Sequence, residues 1–512
     1  MTRAAKLLAV PLFMLQAFFF TFIAWHRFVE VDEGFYLMAS RLVLVHKKPY
    51  LDFFYTQAPL LPYVYALWMR FTSISWTSAK LLSALLTAGL GTLLYVQVCR
   101  LTQRALAGLT AVLLFACTTL VFAWLPVVKT FSLAGLCLFA SYVIISRAQP
   151  SRWAMVIGGV LFGLSVETRS YLLLLVPMFL WWIFRNAATG VRLTSVLPFL
   201  AGFVVALLPA LYLFFRSPEL FLFNNLGYHA LRSGAGLIGM WGEKLRAILA
   251  SFLGRLQGNG IQNSILFFVS FGFLFLMRRH DPSRFAFQLA VALGLVSLLP
   301  TPVFPEYFCL CVPFLIVSAV CAITHLVREL ETTPQRLAAA IGCIALIGIY
   351  VASSIGDFRG YLVTGYGALE LRATPNEGAW RLEQVVEVSR AVDQIARPGE
   401  IVASFAPMDI FQTKANPLPG LESDFGLPVS ERLTPQQRLK YHILSVSDLQ
   451  ADFAAHWPRV VVVRSPILMT LITGASNKWS DGEQFRSSLI ADGYTLVRSI
   501  GGISIYAYPP QN

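Results

Sequence analysis

Two neighbouring carboxylates, Asp32 and Glu33, open the first polar stretch of a chain that is otherwise mainly apolar. They follow an apolar run of membrane-spanning length, which places them at a membrane boundary. A carboxylate in that position can take a proton from an acceptor hydroxyl while nearby cations bind the phosphate of a lipid carrier. Spacing alone also allows a structural role, because acidic residues of this kind cap helix N-termini.

A second polar cluster follows in the same outer loop, where Asp52, Tyr55 and Gln57 stand among aromatic residues and prolines and are candidates for substrate binding. Between the two clusters, apolar side chains recur at helical spacing over residues 35–45, which predicts an amphipathic helix lying in the membrane interface. This helix is expected to hold the loop against the membrane. The basic residues at its edge are Arg41, Lys47 and Lys48.

A cation interrupts the apolar sequence further along the chain. Arg169 lies between two apolar runs, where a charge is costly unless it binds an anion or a carboxylate such as Glu167. An interfacial position without a binding role is the alternative, and the spacing does not separate the two.

Membrane helices must position these residues. Of 512 residues, 56% are hydrophobic and 13% are charged, whereas soluble domains have about 45–50% and about 25%. The chain is therefore predicted to be a polytopic α-helical membrane protein, and the composition excludes a soluble enzyme, a fibrous protein and a disordered chain. About eleven transmembrane helices are expected, within two, because three of the apolar runs (153–167, 170–184 and 264–277) fall short of the roughly 20 residues that cross a bilayer. The other runs are 7–25, 79–98, 105–124, 130–146, 193–215, 285–303, 307–327 and 337–355.

The formal net charge of +13 is confined to the membrane part of the chain. Residues 1–355 carry a net charge of +15 and residues 356–512 a net charge of −2. No polar segment therefore carries a basic face for nucleic acid, which is excluded as a partner. With the N-terminus in the cytoplasm, the six short loops on that side hold thirteen basic and three acidic residues, as the positive-inside rule requires.

This orientation places the loops 26–78 and 216–263, and residues 356–512, on the outer side, which is the periplasm in a bacterium. Two domains are thus expected: a transmembrane catalytic domain, 1–355, and a small periplasmic α/β domain, 356–512. In the second, patterning predicts a helix over 380–395, a strand over 400–405, a helix over 448–456, a strand over 459–464, a hairpin of 494–500 with 503–508, and a loop around 416–420.

No cofactor or metal site is expected from spacing. The seven cysteines lie in or beside apolar runs and form neither a disulfide framework nor a CxxC pair, and the seven histidines are scattered. The acidic set Asp32, Glu33 and Asp52 is charged enough to hold a divalent cation but lacks a diagnostic spacing.

Five short motifs are distributed along the chain: Asp32-Glu33 after one N-terminal span; Tyr50-x-Asp52-Phe53-Phe54 leading to Gln57-Ala58-Pro59-Leu60; Gly163-Leu164-Ser165-x-x-Thr168-Arg169; Phe223-Asn224-Asn225-x-x-Tyr228-His229; and Glu306-Tyr307-Phe308 followed by Pro313. Together they resemble glycosyltransferase family 39 of the membrane-integral GT-C superfamily, which includes protein O-mannosyltransferases and the aminoarabinose transferases of lipid A. The resemblance extends over essentially the whole chain.

The resemblance implies an inverting transfer of a sugar from a polyprenyl-phosphate carrier to a lipid, glycan or protein acceptor at the outer membrane face. Asp32 matches the catalytic base, with Glu33 as its neighbour in the motif. Tyr307 resembles the tyrosine that contacts the carrier phosphate, and Arg169 and His229 are further candidates for substrate binding.

Three positions depart from the family pattern. Lipid A transferases place an arginine three residues after the catalytic aspartate and a lysine just before the proline of the second motif, where this chain has Phe35 and Ala58. Other cations must therefore hold the phosphate, and lipid A is disfavoured as the substrate. Lys129 stands where many relatives have a second acidic residue; it either contacts the donor phosphate or extends to the interface.

A transporter or flippase of a lipid-linked sugar would share the spans, the outer loops and the phosphate site. Such a protein usually carries polar residues near the bilayer midplane, whereas these cluster at the outer boundary. A transporter would also have no need of Asp32. The enzyme is therefore the favoured function, and a non-catalytic scaffold has no sequence feature in its support beyond the C-terminal domain.

Overall fold

Within the described residues, each of the eleven apolar runs contains a helix or a pair of consecutive helical segments. A computed structural model of the chain describes residues 6–187, 192–232, 237–253, 259–272, 274, 281–363, 380–464 and 482–509. The helices there are α1 (Ala9–His26), α2 (Val31–Leu44), α3 (Leu60–Phe71), α4 (Trp76–Thr102), α5 (Ala105–Cys117), α6 (Thr119–Trp124), α7 (Thr130–Ile145), α8 (Arg152–Thr168), α9 (Val176–Asn186), α10 (Arg192–Ala206), α11 (Leu208–Arg216), α12 (Pro218–Leu222), α13 (Tyr228–Arg232), α14 (Leu237–Leu253), α15 (Gly260–Gly272), α16 (Pro282–Ser297), α17 (Val312–Glu329), α18 (Thr333–Val363), α19 (Leu382–Ile395), α20 (Leu427–Ser430), α21 (Pro435–Tyr441), α22 (Val446–Ala454) and α23 (Gly482–Ala491).

The number of helices that are continuous over a membrane-spanning length is smaller than the number of apolar runs. Among the described residues, four helical segments are long and apolar enough to cross a bilayer: Ala9–His26, Trp76–Thr102, Pro305–Glu329 and Thr333–Leu362. A further run is bent by 50° between Ala206 and Leu208, and another is broken at Thr118, whose backbone is extended (φ −73°, ψ 125°). A multi-pass helical membrane protein is thus confirmed.

The chain divides into two compact units. The first, called the helical unit, comprises Met1–Ala24, Ser83–Pro209 and Ala235–Gly360. The second, called the mixed unit, comprises Trp25–Leu82, Ala210–Gly234 and Tyr361–Asn512. The mixed unit therefore joins the first outer loop of the sequence to the C-terminal segment.

Close helix packing in the helical unit depends on two glycines. A Cβ added to Gly159 of α8 would lie 1.9 Å from the Phe199 carbonyl oxygen of α10, and one added to Gly202 of α10 would lie 2.1 Å from the Val156 carbonyl oxygen of α8. Small residues allow such backbone contact between membrane helices, where packing rather than water drives association. The two helices can pack at this distance only with glycine at both positions.

The mixed unit contains one five-stranded sheet in the order β2-β1-β3-β5-β4. Both β2 and β3 are parallel to β1, and β5 is antiparallel to β3 and β4. The central strand β3 consists of four buried valines, as expected for a strand covered on both faces. The strands are β1 (Ile401–Ser404), β2 (Asn416–Pro417), β3 (Val460–Val463), β4 (Thr495–Ile500) and β5 (Ile503–Ala507).

The predicted helices and strands of the C-terminal segment are confirmed to within two residues at each end. The hairpin turns at Gly501 and Gly502, which both have positive φ (53° and 84°), as a two-residue turn between twisted strands requires. The loop predicted around 416–420 begins with the two-residue strand β2, whose Pro417 is tolerated because β2 is an edge strand.

The helix predicted for residues 35–45 is present as α2, but of the basic residues at its edge only Lys48 is exposed, whereas Arg41 is buried. Every residue from Glu33 to Leu42 is buried. Arg41 Nη1 donates hydrogen bonds to the carbonyls of Ile410 (3.0 Å) and Phe411 (3.3 Å). A Cβ on Gly34 would lie 2.4 Å from the Met408 nitrogen. The C-terminal segment covers this helix, so its fixed position comes from protein contacts on every side.

Candidate active site

The two neighbouring carboxylates have different surroundings at the start of α2. The Glu30 side chain accepts a hydrogen bond from the Asp32 backbone N–H, and the Glu33 side chain accepts one from the Glu30 backbone N–H, both at 2.9 Å. This reciprocal capping box satisfies two backbone donors at the helix terminus. The capping role considered for the acidic pair is therefore filled by Glu30 and Glu33.

Glu33 is also held in a fully buried ion pair. Lys80 Nζ lies 2.8 and 2.9 Å from the two carboxylate oxygens, and both side chains are completely inaccessible. Burial raises the pKa of Glu33, but the charges of Lys80 and Arg27 and the hydrogen bonds from Glu30 and Lys80 outweigh it and leave the pKa lowered. A carboxylate stabilised in this way is a weak base, so Glu33 fits a positioning role.

Asp32 is half-buried in the same helical turn. Its surroundings include Tyr228, whose pKa is raised to about 12, mainly by burial. The positive charge of Arg232 lowers this pKa, and the carboxylates of Asp424 and Asp32 raise it further. Asp32 is thus partly accessible to solvent and lies near other polar groups of the mixed unit. Of the two predicted catalytic residues, it is the one placed to exchange a proton with a bound hydroxyl.

Aromatic packing occupies the position where lipid A transferases have an arginine. The Phe35 ring stacks on Tyr55 at 5.0 Å between centroids, and it contacts Phe425 at 4.8 Å. Tyr55 is fully buried, and among the described residues its hydroxyl has no hydrogen-bond partner. Burial raises the pKa of Tyr55 well above its usual range. Phe35 therefore belongs to an aromatic core and cannot replace the missing cation.

The motif around His229 holds the first outer loop in place. The Tyr55 backbone N–H donates to the Asn224 side-chain oxygen at 3.0 Å, and His229 Nε2 lies 3.0 Å from the Thr56 carbonyl oxygen. Both side chains project from a segment in which a single π-helical turn, Phe223–Gly227, precedes α13. Such turns occur often at functional sites. His229 thus contacts the loop backbone.

Asp52 and Gln57 also contribute to the shape of this loop. The exposed Asp52 accepts a hydrogen bond from the Lys48 backbone N–H at 2.7 Å. The Gln57 carbonyl accepts one from the Tyr50 hydroxyl at 2.5 Å. Their hydrogen bonds close the turn of the loop, which leaves the Gln57 side chain as the part available to a substrate.

In the helical unit, Lys129, Arg169 and Tyr307 are brought together. Arg169 Nη1 donates to the Thr130 hydroxyl at 2.7 Å, and its guanidinium lies over the Tyr307 ring at 5.1 Å. Lys129 is adjacent to Thr130, and its Nζ lies 3.7 Å from a carboxylate oxygen of Glu306. Lys129, Arg169 and Glu306 are all at least nine-tenths buried. These residues form the basic cluster of the helical unit.

The extension to the interface considered for Lys129 does not apply, because its side chain is buried in the protein, as is that of Arg169. Arg169 also lies over the rings of Phe131 (4.3 Å) and Tyr171 (4.9 Å), and Lys129 lies over Trp124 (5.1 Å). Two cations and the Glu306 carboxylate thus lie among aromatic rings in a largely desolvated cluster, and Glu167, the carboxylate considered as a partner of Arg169, is buried two residues from it. Cations held in such surroundings suit a phosphate.

Sequence reasoning assigned no role to Lys80 or Thr130, and it named Asn224 and Glu306 only as members of the family motifs. The sequence could have indicated Lys80 and Glu306, because an ionisable residue within an apolar segment is energetically costly and is usually paired. Asn224 had the signal of its motif, whereas Thr130 had none, since its hydrogen bond comes from Arg169, 39 residues away in sequence. Among the described residues, no group of three or more His, Cys, Asp and Glu side chains is placed to hold a metal ion.

Solved structures share this architecture over the whole chain. The crystal structure of ArnT from Cupriavidus metallidurans bound to undecaprenyl phosphate aligns with 98% of this chain and 99% of its own, at 14% identity and a TM-score of 0.62. The apo oligosaccharyltransferase of Archaeoglobus fulgidus aligns with 98% of this chain and 74% of its own, at 15% identity and a TM-score of 0.52.

The arabinofuranosyltransferase AftD from Mycobacteria aligns with 99% of this chain and 40% of its own, at 14% identity and a TM-score of 0.50. No protein-family model matches the sequence, and a sequence search of curated proteins finds no match. At identities this low the likeness establishes the fold, and the chemistry must be argued from the side chains.

Proposed function

We propose that this chain, which has the fold of the membrane-integral GT-C glycosyltransferases, transfers a sugar from a polyprenyl-phosphate carrier to a hydroxyl acceptor. The acceptor belongs to a lipid, a glycan or a protein at the outer membrane face. The observation that carries the proposal is the different surroundings of Asp32 and Glu33: one carboxylate is partly accessible, and the other is locked in a buried ion pair beside it.

The reaction is a single inverting displacement. The acceptor oxygen attacks the anomeric carbon, the bond from that carbon to the phosphate oxygen breaks, and the acceptor proton passes to the Asp32 carboxylate. The carrier leaves as polyprenyl phosphate and keeps the bonding electron pair. Asp32 is the catalytic base, and Glu33 positions it through the capping box and the pair with Lys80.

The carrier phosphate binds to the basic cluster of the helical unit. Lys129 and Arg169 supply positive charge, and Tyr307 supplies a hydroxyl donor beside the Arg169 guanidinium. Hydrogen bonds from ionised donors to phosphate are short and strong, and burial strengthens them further. The solved ArnT structure was obtained with undecaprenyl phosphate, a carrier of the proposed class.

Substitution of Arg169 tests this assignment. Purified protein, supplied with polyprenyl-phosphate sugars and a candidate acceptor, is expected to release a product whose mass shows the added sugar. Arg169→Gln is expected to raise the KM for the donor about 10- to 100-fold, the cost of one charge-assisted hydrogen bond, with a smaller change in kcat. The matched control is Arg185→Gln, since Arg185 in the same unit also lies over an aromatic ring, that of Trp181.

Lys129→Gln and Tyr307→Phe are expected to raise the same KM. An unchanged KM and kcat in all three variants would place the phosphate elsewhere. Failure of every candidate donor to give a product would count against the transferase itself.

We also propose that the protein lies in a bacterial inner membrane with about eleven spans. The N-terminus is then cytoplasmic, residues 1–355 form the transmembrane domain, and residues 356–512 form a periplasmic domain. The support is the distribution of basic residues among the short loops. Alkaline phosphatase fused after Ile355 is expected to be active, and the same enzyme fused between residues 278 and 284 is expected to be inactive; the opposite pattern would contradict the orientation.

A further inference from the structure

A groove of about 190 Å³ opens in the helical unit, apart from the basic cluster. Its walls come from α5, α15, α17 and α18, and they are almost entirely apolar. On α5 the lining residues Ala107, Thr110 and Leu114 follow one face of the helix at spacings of three and four. From residue 106 to residue 114 this wall is about 12 Å long, which suits part of an acyl chain.

One end of the groove is cationic. Arg104 lines it, is exposed, and among the described residues has no partner for its guanidinium. Arg104 is the N-cap residue of α5, and its side chain makes no capping hydrogen bond. The positive end of the α5 helix dipole therefore lies at the same end of the groove as the Arg104 charge. Arg328 reaches the same end, because its Nη2 donates to the carbonyl of Thr102, two residues before Arg104.

This groove is distinct from the proposed carrier-phosphate site. Helices α5 and α6, which are separated by the break at Thr118, are about 20 Å and about 9 Å long. Arg104 precedes the first residue of this pair, and Lys129 follows the last. A phosphate at Arg104 therefore lies at the opposite end of the pair from the basic cluster.

We propose that the groove binds an anionic phospholipid of the leaflet on the Arg104 side, with one acyl chain along α5 and the phosphate at Arg104. Basic pockets between membrane helices bind such headgroups because the cations act at short range in a poorly hydrated region. Arg104 and Arg328 place two positive charges there, and none of the described residues that line the groove is a carboxylate, which favours a lipid of net negative charge over a zwitterionic one. The site is independent of Asp32 and of glycosyl transfer.

Native mass spectrometry of the purified full-length protein tests the site with phosphatidylglycerol and phosphatidylcholine. Phosphatidylglycerol is expected to be retained at least fivefold better. Arg104→Gln is expected to weaken this retention at least tenfold, the loss of one charge-assisted contact, and Arg104→Lys less so, because charge remains without the bidentate geometry. The matched control is Arg152→Gln, an exposed arginine that begins α8 of the same unit.

A second measurement needs no substitution. Cys343 lines the groove, whereas Cys321 on α17 does not, and both are partly accessible. Alkylation resolved by mass spectrometry should slow several-fold at Cys343 when phosphatidylglycerol is added, with no change at Cys321. The proposal would be overturned if the Arg104→Gln and Arg152→Gln proteins retained phosphatidylglycerol equally, or if the two lipids were retained equally. It would also be overturned if inorganic phosphate displaced the lipid, or if the lipid left the alkylation rate of Cys343 unchanged.

Discussion

Replacing Asp32 by Asn is expected to lower kcat for sugar transfer by about 10² to 10⁴, the usual cost of a lost general base. The fold should be unaffected, because the capping box uses the backbone N–H of residue 32, which asparagine retains. Single-turnover assays with the purified protein and a polyprenyl-phosphate sugar measure the effect. The donor KM should stay within a few-fold of the parent value, since the phosphate contacts are made by other residues.

Asp32→Glu is the matched control for this prediction. It keeps the charge and moves the carboxylate by one methylene, and a displacement of about 1 Å can cost roughly 10² in rate. Partial activity in this variant together with loss in Asp32→Asn would support a positioned base. Near-normal turnover of Asp32→Asn would show that the base is a different group.

The second large effect concerns stability. Glu33→Gln and Lys80→Met, each made alone, are expected to destabilise the protein by about 3–5 kcal/mol, because each leaves the other charge buried without its partner. Glutamine can still accept the hydrogen bond from the Glu30 backbone, so the capping contact is largely kept. The midpoints of unfolding in detergent, measured by circular dichroism, report the loss.

The double variant Glu33→Gln/Lys80→Met separates the ion pair from general disruption. It removes both charges at once and should recover most of the stability that either single change loses. Additive losses would mean that the two side chains are not energetically coupled. In the recovered variant, kcat should remain below that of the parent while the donor KM is unchanged, because Asp32 would be positioned less firmly.

Much of the architecture was predictable from the sequence because it depends on local patterns. Apolar runs predict membrane helices through length and hydropathy alone, and every such run contains a helix among its described residues. The final hairpin follows from alternating residues around Gly501 and Gly502, whose positive φ angles suit a two-residue turn. The motifs that resemble GT-C enzymes likewise predicted a fold that the structural likeness confirms.

The tertiary structure decided what neighbouring residues do. Asp32 and Glu33 are indistinguishable by type and spacing, and they separate only because Lys80, 47 residues away, pairs with one of them in a buried site. His229 was a candidate ligand by its motif, but it contacts the Thr56 carbonyl, 173 residues away. Lys129 could have extended to the interface, and its burial beside Glu306 excludes that conformation. Hydropathy and periodicity are properties of short segments, whereas the charge state and orientation of a buried side chain depend on groups that the fold brings from distant segments.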